Sequence, residues 1–421
     1  MGRQIINNST QGETGGSARA KINANFEELY GNISTYGTRY TLSTDTHTRI
    51  ANSIGKVANA DGGANDFNSI MPWAGMRRCN LADDLNINAY YGDANYIKDG
   101  TNGQCMVEVP AFYYKRSYID ADTIENYISM LPLAGYELHP WFHDENGLPV
   151  SKKYISAYEG SIYDKSSNAY LAADEQIADF TPAVGDVLSS IAGVKPASGL
   201  TQDLTIVNSR ILANNRGTKW QQQYFDAVSA IELLFSVEYA SFDTQGKIGQ
   251  GVVNFDSGVG NESIITGGTS SLGNLSGSAS GTDGIVSISY RGIENLWGNI
   301  WGWVDGININ NNIAYISKLN ASFESDTFTG NYEEKATLAN SNGYFSKSTL
   351  DYNFDHGFLP IQATGTSTTK YYDYYYQNSV GASVAQFGGR WGGGSGAGAF
   401  CWYLYYGSST RSRTIGARLC V

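Results

Sequence analysis

The last 22 residues, FCWYLYYGSSTRSRTIGARLCV (400–421), constrain the fold more than any other stretch. In FCWYLYYG the period-two rule of a strand puts Phe400, Trp402 and Leu404 on one face and Cys401, Tyr403 and Tyr405 on the other. In TIGARLCV the inward set is Ile415, Ala417, Leu419 and Val421. Two strands joined by the polar loop GSSTRSRT, with an apolar face running to the final residue, predict a terminal hairpin that belongs to the core. Tyrosines on the outward face cost solubility unless another layer covers them or a partner meets them. The loop favours a partner. Arg411 and Arg413 stand there among serines and threonines, and rings for area with hydroxyls for hydrogen bonds make adaptable binding surfaces.

The rest of the chain reads as a β-rich α+β protein. Among 421 residues there are 49 glycines and 30 tyrosines against 28 basic side chains, the composition of a loop-rich β protein turned by Gly and Asn. One short amphipathic helix is predicted in ARAKINANFEELYGN, where Ile22, Phe26 and Leu29 recur at helical spacing before Gly31. It is too short to be stable alone, so it docks on another chain, on its own copies or on its own domain. Residues 34–70 read as a linker or small β element, and the chain becomes globular from 71. QCMVEVPAFYYKRSYI reads as a strand from Met106 to Tyr114 with Pro110 at an edge or bulge. LPLAGYELHPWF and SKKYISAYEGSIYD read as further strands. Lys219–Tyr239 carries Trp220, Tyr224, Val228 and Ile231 at helical spacing and predicts the longest helix. Residues 251–290 hold only Asp256, Glu262 and Asp283 as charges and read as a surface insertion. Trp297, Trp301 and Trp303 in IENLWGNIWGWVDG mark an aromatic core segment.

Much chemistry is absent from the pattern. A net charge of −12 opposes nucleic acid as a partner. There is no apolar run of about 18 residues to insert in a membrane, and no signal core in MGRQIINNST. Cys79, Cys105, Cys401 and Cys420 show no metal-binding spacing. Cys401 and Cys420 fall on strands expected to be neighbours; they either pair or, as expected here, stay free and buried. His139 and His143 flank Pro140 without the glutamate of a metalloprotease helix. GGRWGGGSGAG lies between β segments, so its glycines serve turns rather than phosphate. Glu159, Asp305 and Asp355 are candidate hydrolytic acids only by default. Neither a metal nor any other cofactor is expected.

The terminal region, YYDYYYQN…FGGRWGGGSGAGAFCWYLYYGSSTRSRTIGARLC, resembles the variable region of phage and bacterial receptor-binding proteins with a C-type-lectin-like fold, among them the targets of diversity-generating retroelements. The family's template-like form is rich in asparagine there. Those asparagines fall on Gly392, Gly393, Tyr403, Tyr405, Tyr406, Thr410, Ser412 and Thr414, and each residue type is reachable from an Asn codon by changing adenines alone. Arg390, Ser395, Gly396, Cys401, Arg411 and Arg413 are further variable positions on this resemblance. Trp391, Gly398, Phe400, Trp402, Leu404, Ile415, Gly416 and Arg418 match its fixed scaffold. GIENLWGNIWGWVDG is similar to a segment of the formylglycine-generating-enzyme-like branch, and MVEVPAFYYK and KKYISAYEGS resemble that branch's opening strands. GETGGSARAKINANFEELY is similar to the head of phage tail-fibre proteins. The close cysteine pair that holds copper in the enzyme branch and the calcium-binding tripeptides of sugar-binding lectins are missing.

The resemblance therefore implies a virion-attachment segment over 1–33 and a C-type-lectin-like domain over 71–421 whose 371–414 region meets a host cell-surface receptor. It implies a non-enzymatic tail-fibre or similar virion protein, assembled in the bacterial cytoplasm, bound to other virion proteins through its N-terminus and forming a homotrimer. The ligand-binding set is Arg390, Gly392, Gly393, Ser395, Tyr403, Tyr405, Tyr406, Thr410, Arg411, Ser412, Arg413 and Thr414. A structural decoration protein would bury that face in the particle. A polysaccharide-degrading tailspike would release oligosaccharides through a carboxylate.

Overall fold

In the computed structural model the described residues are 21, 35–171, 177–199, 203–258, 260, 262–281, 283–319, 322–348, 357–377 and 380–421. The helix expected near the N-terminus and Asp355 lie outside them. The architecture is β-rich with few helices, built on sheets of five, six and eight strands.

A 15-residue helix, Phe225–Tyr239, runs between the five- and eight-stranded sheets, touching the strands Thr35–Thr41, Thr123–Ser129 and Trp301–Asn310. All of its residues are buried, Asp226, Ser229, Glu232, Ser236 and Glu238 among them, so its polar groups have to be satisfied inside the protein. Its hydroxyls turn back onto its own carbonyls: Ser229 Oγ donates to Asp226 O (3.1 Å) and Ser236 Oγ to Leu233 O (2.9 Å). Glu238 pairs with buried Arg291 at 2.6 Å. The helix starts six residues later than the sequence spacing predicts. Gln221 and Gln222 are taken as a strand by Leu419 and Cys420, and Tyr224 is extended at φ −135°. Tertiary pairing overrides local periodicity there. A second helix, Ile206–Asn214, was not anticipated; Thr205 caps it by accepting from Asn208 N at 3.2 Å.

Pro110 ends the strand Gln104–Pro110 of the six-stranded sheet, and the next strand, Tyr113–Tyr118, belongs to the five-stranded one. Lacking an N–H, proline is suited to such an exit. LPLAGYELHPWF yields only the two-residue strand Glu137–Leu138 and a 3-10 turn, Pro140–Phe142, whose start is capped by buried His139 accepting from Trp141 N. Residues 34–70 contain the hairpin Thr35–Thr41 and Thr46–Ala51, hydrogen-bonded to Thr123–Ser129. Within 251–290, Val252, Val253 and Ile288 are fully buried, and Gly277–Ser278 pairs with Ile288–Tyr290. Much of that segment is therefore packed rather than superficial.

The chain's end is not a hairpin. Trp402–Leu404 lies in the eight-stranded sheet, antiparallel to Ala382–Phe387 and parallel to Tyr374–Gln377. Ile415–Gly416 pairs in parallel with Trp301 and Gly302, and Leu419–Cys420 then crosses to the six-stranded sheet between Gln221–Gln222 and Lys152–Ser156. The terminal segment thus stitches two sheets together. Cys401 and Cys420 are not on neighbouring strands, and all four cysteines are free and buried.

Candidate functional site

Outward-facing residues of three strands of the eight-stranded sheet form the site. In Tyr374–Gln377 the alternation puts Tyr375 and Gln377 inside and leaves Tyr374 and Tyr376 half-buried. In Trp402–Leu404 it buries Trp402 and Leu404 and leaves Tyr403 half-buried. Parallel pairing sets Tyr376 beside Tyr403, and the rings stack at 4.8 Å and 30°. The series extends both ways. Tyr344 lies 5.1 Å from Tyr374, which lies 4.6 Å from Tyr376. Tyr403 lies 5.1 Å from Tyr406, which lies 5.3 Å from Tyr405. Beneath them Trp301 meets Tyr376 and Tyr403 edge-on, at 6.1 and 5.3 Å. Six tyrosines therefore make one continuous ladder.

Burial is graded along the terminal strand. Cys401, expected to face outward, is covered by a cluster of Ile206, Trp301, Trp303, Val384 and Ile415. The helix that the sequence reading missed supplies Ile206, and so closes this end of the face. Tyr403 is packed against the same cluster, whereas Tyr405 and Tyr406 are 42% and 38% exposed. Both of the last two are exposed because the chain leaves the sheet after Leu404. Leu404 O still accepts from Ser383 Oγ (2.9 Å) and Tyr406 O from Val384 N (2.9 Å), so the exposed rings stand on a fixed backbone. Burial pushes the Tyr376 phenol up to about 12, and burial, then the Tyr406 hydrogen bond, raises that of Tyr403 further. Both therefore present neutral hydroxyls at physiological pH.

The other sequence-predicted residues gather around this ladder in three groups. Ser395 joins one end, its hydroxyl 3.0 Å from that of Tyr344; neighbouring Gly396 leaves room for Tyr374, whose Cβ a side chain at 396 would meet at 2.9 Å. Thr414 O accepts from Trp301 N (2.9 Å) and its hydroxyl meets that of Ser412 (2.9 Å), placing both beside the ladder's base. Ser412 O accepts from Gly199 N, and Arg411 pairs with Asp203, so this rim is tied to the segment before the Ile206–Asn214 helix. Thr410 closes a turn onto Gly407 O, and Arg413 lies half-buried between Ser412 and Thr414. Arg390, Gly392 and Gly393 form a separate corner, where Arg390 faces Asp256 at 3.5 Å. A Cβ at Gly392 would come within 2.8 Å of that Asp256 carboxylate and 2.7 Å of the Arg390 guanidinium. Both are ends of flexible side chains in a largely exposed pair worth under about 1 kcal/mol. Gly392→Asn is accordingly expected to open the pair and leave the melting temperature within a few degrees, checked by differential scanning calorimetry.

The sequence places Tyr374 and Tyr376 within the expected 371–414 face without singling them out, and it misses Tyr344 and Trp301. Alternation in YYDYYYQN could have supplied Tyr374 and Tyr376. Nothing local announces Tyr344, whose place depends on its strand pairing with Tyr374–Gln377. Of the default acids Asp355 lies outside the described residues, and Glu159 and Asp305 each have other partners. Glu159 is buried, accepting from Asn295 and Asn299, while Asp305 is buried against Arg210. No group of three or more His, Cys, Asp or Glu suited to a metal occurs among the described residues.

Searches against protein-family models and against curated proteins return no match. Among solved structures the chain is similar to variants of the Major Tropism Determinant. The M1 variant is 13% identical over 82% of this chain and 71% of that one, with a TM-score of 0.28. The U1 variant is 12% identical over 82% and 71%, at 0.27, and the P3c variant 11% identical over 92% and 71%, at 0.26.

Proposed function

We propose that this chain is a non-enzymatic receptor-binding protein of a phage particle. Residues 1–33 attach it to the virion, 71–421 form a C-type-lectin-like domain, and the 371–414 region presents the tyrosine ladder to the host cell surface. The observation that carries this reading is the ladder itself: six rings in contact, rigid at the Trp301 end and open at Tyr405 and Tyr406. Rings held this way lose little conformational freedom on binding, and neutral phenols give directional hydrogen bonds. A homotrimer would multiply a weak single-site affinity through avidity.

The test is adsorption to host cells. Replacing Tyr405 and Tyr406 together with Ser is expected to leave the melting temperature within a few degrees, because neither ring supports the core. Binding should fall by about 30-fold or more, the loss of roughly 2 kcal/mol that an aromatic anchor carries. Unchanged adsorption, or an unfolded double variant, would remove the face from the binding role.

A further inference from the structure

A second site lies away from the tyrosine ladder, between the turn at 99–104, the hairpin Ser161–Asp164 and Ala169–Tyr170, and the end of the Ile206–Asn214 helix. It is a cleft of about 540 Å³, inside the roughly 300–1,000 Å³ span of small-molecule sites. We propose that it binds a neutral saccharide.

Three features carry this. The cleft has a preformed aromatic wall: Tyr163 and Tyr170 lie 5.0 Å apart at 65°. Gly100, at φ +88°, lets the turn close on Tyr170; a Cβ there would sit 2.5 Å from the Tyr170 hydroxyl. The floor is held rigid by Arg216, whose side chain is only 5% exposed. It donates to Leu188 O (2.8 Å), Ser189 Oγ (2.7 Å) and Asp83 Oδ1 (2.6 Å). Finally, the lining carries acceptors left over after local bonding. Asp99 Oδ1 takes both donors of Thr101, at 2.9 and 2.6 Å. Asn88 and Asn102 spend their N–H groups on backbone carbonyls, at 2.9 and 2.8 Å. Among the described residues their side-chain oxygens, and the second oxygens of Asp83 and Asp99, take no hydrogen bond and face a ligand.

The formal charges balance, since Asp83 and Asp99 face Lys165 and Arg216 around the same cleft. A balanced lining gives no net attraction to an anion or a cation. Surplus acceptors suit a ligand rich in hydroxyl donors, and the ring pair suits its apolar C–H face. A pyranose presents both. The wall is too polar for an apolar ligand, whose entry would leave these acceptors unpaired.

Saturation-transfer NMR tests this on the full chain, with a panel of neutral hexoses, 6-deoxyhexoses and N-acetylhexosamines and their disaccharides, and with uronic and sialic acids beside them, at millimolar concentration. At least one neutral sugar is expected to show transfer, weakened about tenfold or more by Tyr163→Ala. If that variant melts early, Asn88→Ala, at an exposed position, gives the same reading. Absence of transfer from every neutral sugar, transfer that survives substitution in a folded variant, or binding confined to uronic or sialic acids would each overturn the proposal.

Discussion

Deleting Leu419, Cys420 and Val421 is expected to abolish the cooperative fold. Chain ends usually fray without consequence. Here the last strand lies inside the six-stranded sheet, with Gln221–Gln222 on one side and Lys152–Ser156 on the other. Val421 N donates to Tyr154 O (3.0 Å) and Tyr154 N to Val421 O (3.3 Å). Leu419 and Cys420 are fully buried and Val421 nearly so. Removing a buried Leu and Val withdraws about 1.5–3 kcal/mol each. Two inner strand edges are then left with unpaired backbone groups at about 1–3 kcal/mol apiece. Such a loss rivals the whole net stability of about 5–15 kcal/mol. Near-UV circular dichroism and a thermal melt check this: the shortened chain should lack both tertiary signal and cooperative transition. A melt within a few degrees of the full chain would show that the terminal strand does not close the core.

That the end is structural was legible in the sequence; how it is structural was not. Alternation correctly put Phe400, Trp402, Leu404, Ile415 and Leu419 inside, because each is buried by whichever sheet its strand joins. Alternation says nothing about which sheet that is. Polar GSSTRSRT looked like a hairpin loop, yet the chain passes along Trp301 and crosses to another sheet. The same blindness explains Gln221 and Gln222, which continue a helical pattern but are claimed by residues about 200 positions later. Cys401 fails for a related reason: its outward direction holds, but Ile206 and Trp303 arrive from distant segments to cover it. Local rules fix which side of a strand is apolar. Non-local pairing decides whether the other side stays open. The tyrosine face survives because its cover, the cluster around Trp301, stops at Tyr403.

The same strand that carries Tyr403 outward turns Trp402 inward toward a buried acid, and this makes stability fall as pH rises. Glu232, in the middle of the Phe225–Tyr239 helix, is fully buried, and neither carboxyl oxygen has a hydrogen-bond partner among the described residues. Burial drives its pKa well above the ordinary 4.5, against the smaller opposing pulls of the Trp402 indole and the Arg116 guanidinium. Desolvation likewise raises Asp373, and it pushes Glu159 up to about 8 despite nearby Arg418. Each holds a proton in the folded chain that the unfolded chain releases. The contribution of each is therefore complete below its ordinary pKa, 3.8 for Asp373 and 4.5 for the two glutamates, and declines above it, by about 1.4 kcal/mol per pH unit per group, until the folded group ionises. Glu232→Gln keeps the shape and removes the titration. The variant should match the parent near pH 4 and gain on it steadily above pH 4.5, at about 1.4 kcal/mol per pH unit until Glu232 ionises in the folded chain. Urea unfolding of both proteins across pH 4–8 measures this as a difference curve, cancelling the groups they share. A flat difference would mean that Glu232 enters the fold already charged. In that case the core beneath the tyrosine face would have to supply a counter-charge that Arg116, committed to Gly357 O and Ser348 Oγ, does not provide.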